Sequence, residues 1–148
     1  MQTTFADSLR EQLDRTWAAL RHGIQLCPEA IWAAPTAHVG SPSWLAFHTI
    51  VHWERLSGCK RSPSGKGLSD NNLPSKDQAL AYLHEVGARV ENWLMNREDS
   101  QFAKQPKRAT VGTTLLSGCL YFLRHNQHHI ADLQTILRKH GIAARLWR

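Results

Sequence analysis

From Thr113 to His140 the chain carries apolar residues at the period of an α-helix, and three of its nine histidines fall within five residues of that stretch, at His125, His128 and His129. Leu115, Cys119, Phe122, Ile130, Leu133, Ile136 and Leu137 form the apolar stripe. A helix with one apolar stripe has to cover it with other elements, so the rest of the chain must supply partners for it. On the helical wheel the stripe is centred about 80° from His125. His129 lies about 40° from His125 and inside the stripe, whereas His128 lies about 60° to the other side and is expected to point outward. His125 and His129, four residues apart, therefore present two imidazoles to one point.

Two ligands do not complete a metal site. A second segment, beginning at Ser41-Pro42-Ser43 and running to about Ser57, offers the best third donor. Ser41 suits the N-cap, and Pro42 suits the first helical position, where a missing N–H costs nothing. Around His48 on this helix, Trp44, Leu45, Val51, His52 and Leu56 all fall within about 80°, so His48 is expected at the middle of a buried face. His52 follows one turn later and is read as a hydrogen-bond support of the site. Glu54, about 120° from His48, is read as a surface charge, as is Asp132 on the polar side of its own helix.

Two further amphipathic helices are expected. The first runs from about Thr4 to Gln25, with Thr4 or Asp7 as cap and Phe5, Leu9, Leu13, Trp17, Leu20 and Ile24 on its stripe; Cys27-Pro28 ends it. One turn of helix is placed at Glu29 to Ala33. The third long helix starts at Ser75-Lys76-Asp77-Gln78, a capping-box pattern, and ends near Met95. Gly58 to Pro74 reads as a long polar surface loop of the kind that borders sites, and Asn96 to Gly112 as a second basic connection. Gly141 suits the C-terminal cap of the last helix, and Trp147 is expected to pack back onto the bundle. With no convincing strand and no internal repeat, the expectation is an all-α four-helix bundle in a single domain spanning residues 1–148. Bundle cores are places where side chains from facing helices build metal sites.

Composition narrows the alternatives. The net charge is +6, but no helix-turn-helix, zinc-finger or RNP pattern accompanies it, so a solvated basic surface or an anionic ligand is expected in preference to nucleic acid. The three cysteines, Cys27, Cys59 and Cys119, are odd in number and lack a C-x-x-C pair, which argues against a disulfide framework and a zinc ribbon. Cys119 falls on an apolar face and is expected to be buried; Cys59, in a basic stretch, is a candidate reactive thiol. No apolar run reaches the ~18 residues of a membrane span, and no secretory leader is visible, so a cytoplasmic, membrane-free protein is expected. His22, His38, His84 and His140 are scattered and read as solvent-facing.

Three neutral imidazoles form a borderline ligand set for Zn, Ni, Fe, Mn or Cu, with positions left open for water or substrate, as in catalytic rather than structural sites. The competing reading is of histidines packed in a core and held by hydrogen bonds.

Ser41-Pro42-Ser43-Trp44-Leu45-Ala46-Phe47-His48 resembles the second-helix motif of the DinB-like (YfiT-like) metalloenzyme superfamily, in which a helix-starting Ser precedes the first metal histidine by seven residues. Leu120-Tyr121-Phe122-Leu123-Arg124-His125-Asn126-Gln127-His128-His129-Ile130-Ala131-Asp132-Leu133 is similar to the fourth-helix motif of that family. The ending Leu137-Arg138-Lys139-His140-Gly141 with Trp147 is also similar. Ala131-Asp132 stands where many members have Gly-Gln, a change that bears on helix contacts and the surroundings of the ligands. The resemblance covers nearly the whole chain and implies an up-down-down-up four-helix bundle, frequent homodimers, and a metal, commonly Zn or Ni, on His48, His125 and His129. Its characterised members include low-molecular-weight thiol S-transferases and a thiol-dependent isomerase.

The expected activity is thus metal-dependent transfer to or from a low-molecular-weight thiol, with a small-molecule substrate. Lys60, Arg61, Lys107 and Arg108 are the cations that could hold its carboxylates. A metal-dependent hydrolase and a non-catalytic metal-binding or stress-related bundle are the alternatives.

Overall fold

The computed structural model describes residues 2–58, 60–106 and 111–147. The candidate thiol Cys59 and the candidate cations Lys107 and Arg108 lie outside them. Among the described residues the chain is all-helical: α1 (Phe5–Leu26), α2 (Glu29–Trp32), α3 (Pro42–Leu56), α4 (Lys76–Met95), α5 (Asp99–Phe102) and α6 (Leu115–Lys139). A 3-10 turn at Pro63–Gly65 and an isolated bridge between Ser69 and Asn72 are the remaining features, and no strand is present among these residues.

The ends of the long helices follow from local side-chain chemistry. Thr4 and Asp7 form a reciprocal capping box at the start of α1, and Ser75 and Gln78 do the same for α4. The Ser41 hydroxyl accepts from Trp44 N at 3.2 Å to start α3, with Pro42 at its first position. Helix α6 begins at Leu115 rather than Thr113, because the Thr114 hydroxyl accepts from Ser117 N and so takes the cap position. Gly141 leaves the other end of α6 at φ 76°, a left-handed conformation that glycine adopts without strain.

Helix α1 packs against α4 and α6, and α3 packs against the same two. This places α3 and α6, which carry the histidines, side by side. The shared core includes Leu20, Ile24, Ile50, Trp53, Leu83, Val90, Ile130 and Leu133, all nearly inaccessible to solvent. At Gly23 the contact between α1 and α6 is so close that a Cβ would stand 2.7 Å from Leu133 Cδ2. The end of the chain folds back as expected, burying Ala144 and Leu146, with Trp147 half-buried against the core. No helix among the described residues is long and apolar enough to cross a membrane.

Both long connections are more tightly built than their polar composition suggests. The stretch from Asn96 holds an unexpected helix, α5, whose Phe102 is fully buried and meets Phe5 edge to face at 6.2 Å. Asp99 Oδ1 also accepts from Phe5 N at 2.8 Å, which ties this connection to the start of α1. The 58–74 loop is anchored by Ser62, Gly65 and Leu68, all buried. A Cβ on Gly65 would stand 2.5 Å from the Tyr82 ring, so only glycine lets the loop lie this close to α4.

Glu54 corrects its reading as a surface charge. It is 3% exposed, and its carboxylate accepts from Tyr82 Oη at 2.7 Å, Ser62 N at 2.7 Å and Arg61 Nη1 at 3.1 Å. Arg61 also donates to Tyr82 Oη and to Leu68 O. The wheel placed Glu54 away from His48, which is right, but that side of α3 faces α4 and the loop instead of water. A buried carboxylate is tolerated only with such a full set of donors.

Candidate metal centre

His48 from α3 meets His125 and His129 from α6. His48 Nε2 lies 3.2 Å from His125 Nε2, and His129 Nε2 lies 3.1 Å from the same atom. The three residues form a group whose ligand atoms all lie within 4.8 Å of one another and could hold a metal ion. With metal–nitrogen bonds of about 2.0–2.1 Å, tetrahedral ligands stand ~3.3 Å apart, close to the two spacings seen.

Hydrogen bonding among the three rings can supply at most one N–H, shared at His125 Nε2, to both contacts. Asp132 Oδ2 lies 3.3 Å from His129 Nδ1. An ionised carboxylate only accepts, so His129 carries its proton on Nδ1 and turns the Nε2 lone pair inward. His125 Nε2 then faces two other ring nitrogens with at most one proton of its own. His125 Nδ1 is buried and without a partner among the described residues. A cation at the convergence point would engage all three lone pairs at once, so the donor set fits a borderline divalent ion.

The walls are aromatic. Trp44 stacks on His48, with centroids 4.3 Å apart at 18°, and meets His129 edge-on. Its Nε1 donates to Asp70 Oδ1 at 3.2 Å, so the 58–74 loop does border the site. Gly40 allows this packing: it has φ 78°, and a Cβ there would stand 2.7 Å from the Trp44 ring. Tyr121 stacks on His125 at 5.9 Å. Asn126, fully buried, anchors the adjacent position: with its amide oriented to suit its neighbours, it accepts from Trp53 Nε1 at 2.8 Å and donates to Phe122 O at 3.2 Å.

Burial sets the protonation of the cluster. It pushes the His48 pKa down to about 3 and that of His125 to about 4, with neighbouring histidines adding to both shifts. His129 is also lowered by burial, with Asp132 opposing, and His52 is lowered by burial and then by the charge of Arg55. All four rings are therefore neutral at neutral pH, the form that binds metals.

The structure brings together the three histidines selected from the sequence and sets the others apart. The His128 side chain is 71% exposed. His38, His84 and His140 are exposed, and His22 is half-buried. His52 lies against the cluster through ring contacts, edge-on to His48 at 4.4 Å and stacked on Phe122 at 5.2 Å. The expected role of Asp132 as a surface carboxylate is corrected: its side chain is 19% exposed and supports His129. It follows His129 by three residues, the spacing at which helical side chains meet, and that was the available signal. The same spacing groups His128, His129 and Asp132, with His128 on the solvent side. Arg61 is occupied by Glu54, and Lys60 lines a groove with Arg89, Trp93 and Arg97. Cys119 and Cys27 are buried, with thiol pKa values pushed up to about 12 and about 11.

Next to the histidines lies an open cleft of about 1080 Å³ with His52, Tyr121, Phe122 and His125 in its wall. The family model of the DinB superfamily matches residues 12–133. The chain belongs to the DinB superfamily. The matched range contains His48, His125 and His129, together with Trp44, Asp70 and Asp132 around them. No curated protein and no solved structure matches the chain. Within the superfamily, the sequence resemblance and the converging imidazoles agree on the same three residues.

Proposed function

We propose that this DinB-superfamily protein is a metal-dependent enzyme of the low-molecular-weight thiol S-transferase type, with His48, His125 and His129 as ligands of Zn or Ni. The carrying observation is the convergence of three neutral Nε2 atoms at 3.1 and 3.2 Å spacings, with one already oriented by Asp132. A bound divalent ion would supply a Lewis acid that lowers a thiol pKa from its usual value near 8.5 and favours the thiolate. The chain's own residues do the rest. Asp132 holds the proton of His129 on Nδ1, leaving Nε2 free to bind. Trp44 covers one face of the His48 ring and Tyr121 one face of the His125 ring, which limits water there. The cleft beside His125 admits a small molecule.

The chain's described cysteines support a nucleophile brought from outside. Cys27 and Cys119 are buried with raised pKa values, so neither offers a thiolate at neutral pH. We further infer one domain in up-down-down-up connectivity, a homodimer and a cytoplasmic location, each resting on the resemblance or on the composition.

The test is elemental mass spectrometry of the purified protein beside the His125→Ala/His129→Ala variant. About one transition-metal ion per chain, lost in the variant, supports the site and opens a thiol-transfer screen. Absence of metal from both, even after incubation with Zn and Ni, sinks the reading and leaves a bundle with packed histidines.

A further inference from the structure

The cleft that shares His125 with the cluster has an unbalanced charge. Arg55, Arg97 and Lys104 line it, and among the described residues no acidic one does. Between Asp99 and Asp132 the sequence contains no acid at all. None of the three cations takes part in an ion pair among the described residues. Arg61 shows the contrast, since Glu54 holds it. Clefts lined by one sign of charge concentrate ligands of the opposite sign.

Arg97 is the focus. Its guanidinium carbon lies 4.5 Å from the Trp93 ring centroid, which holds the group over the indole face. Its Nε is buried and has no hydrogen-bond partner among the described residues. A buried donor left unmet is costly, and a planar guanidinium held against an indole is suited to a two-point bond with a carboxylate. Leu115, Tyr121 and Phe122 add an apolar and aromatic part to the lining. The volume is of the order of small-molecule sites, ~300–1,000 Å³.

We propose that this cleft is the substrate pocket and that it selects a small organic carboxylate, with the acid group on Arg97, assisted by Arg55 and Lys104, and an aromatic or other apolar body between Trp93 and the Tyr121–Phe122 wall. As an assignment of substrate it rests on the histidine cluster being the reactive centre. The anion site itself is built by other residues, and it replaces Lys60 and Arg61 as the source of anion recognition.

The experiment is calorimetric titration with 2-naphthoate and with its neutral analogue 2-naphthamide. It is run on metal-loaded and chelator-treated protein, and on Arg97→Gln, Arg97→Lys, Arg55→Gln and the control Lys139→Gln. A charged, two-point hydrogen bond predicts at least about a tenfold preference for the acid. That preference should survive metal removal, fall to near unity in Arg97→Gln, be partly kept in Arg97→Lys, shrink in Arg55→Gln and stay unchanged in Lys139→Gln. Circular dichroism of each variant confirms that it is folded. Equal binding of acid and amide, no binding of either, or a preference that ignores both arginine changes overturns the proposal. So does a preference that appears only with metal, because the carboxylate would then be bound by the ion. If the protein takes up no metal but still prefers the acid, the metal reading fails and the anion pocket stands. If it takes up metal and shows no preference, the pocket alone is wrong.

Discussion

Within one stretch of α6 the three histidines differ only in where the wheel places them, and that difference decides their chemistry. His125 Nε2 stands between His48 Nε2 at 3.2 Å and His129 Nε2 at 3.1 Å, while the His128 side chain is 71% exposed. His48→Ala is therefore expected to abolish metal uptake, and His128→Ala to leave it unchanged, by metal analysis of the dialysed proteins. Asp132→Ala removes the group that holds His129 in its binding tautomer and is expected to weaken metal affinity by about 10–100-fold, measured by competition with a chromogenic chelator. An unchanged affinity would mean that Asp132 is only a helix-surface charge.

The same burial gives the metal-free protein a pH signature. His48 and His125 have pKa values of about 3 and about 4 in the folded state, against an ordinary value of 6.5. Below about 6.5 the unfolded chain takes up protons that the folded chain refuses. The unfolded state then binds more protons, so stability rises with pH in that window. It should decline as the pH falls from about 6.5 through 4 toward 3, with no loss from these groups above it. Thermal unfolding of chelator-treated protein checks this: Tm should be lower at about pH 5 than at about pH 7, with a smaller drop in His48→Gln. A Tm equal or higher at the lower pH would contradict burial of neutral rings.

At the scale of the element, caps and breakers place each helix in register, and for α3 that register is functional. Ser41 starts α3 seven residues before His48, and Gly40 lets Trp44 lie over the His48 ring. Ser41→Ala is expected to cost about 1 kcal/mol in denaturant unfolding. The starts of α1, α3 and α4 were legible because each rests on a local pattern of Ser or Thr with its partner three residues on. The connections were not. Helix α5 is short, and it is held by Phe102 against Phe5 and by Asp99 on Phe5 N, partners far away in sequence. No periodicity over four residues could announce it.

For the whole molecule, the Glu54–Arg61–Tyr82–Ser62 network joins α3, the 58–74 loop and α4 in one buried polar clamp. Arg61→Ala leaves the Glu54 carboxylate short of a charged donor and is expected to cost about 3 kcal/mol in stability, read as the shift of the urea midpoint at constant slope. Because the same loop carries Asp70, the partner of Trp44 Nε1, loosening it should also weaken metal retention. A surface role for Arg61 would instead give a change within about 0.5 kcal/mol.

The sequence alone determined the all-helical class, the four long helices to within a residue or two at their ends, and the three histidines that converge. Each of these depends on spacing of a few residues along a regular helix, and that spacing is written in the chain. Only the tertiary structure decided what the wheel faces meet. A wheel gives directions but not neighbours, so it placed Glu54 away from His48 without showing that α4 and a folded-back loop cover that side. It put Asp132 on the polar side without showing how little of it reaches solvent. The anion pocket is of the same kind: Arg55 lies on α3, Arg97 and Lys104 flank α5 in the connection after α4, and only the tertiary packing sets them around one cleft, while Arg61, equally basic in sequence, is neutralised by a buried partner.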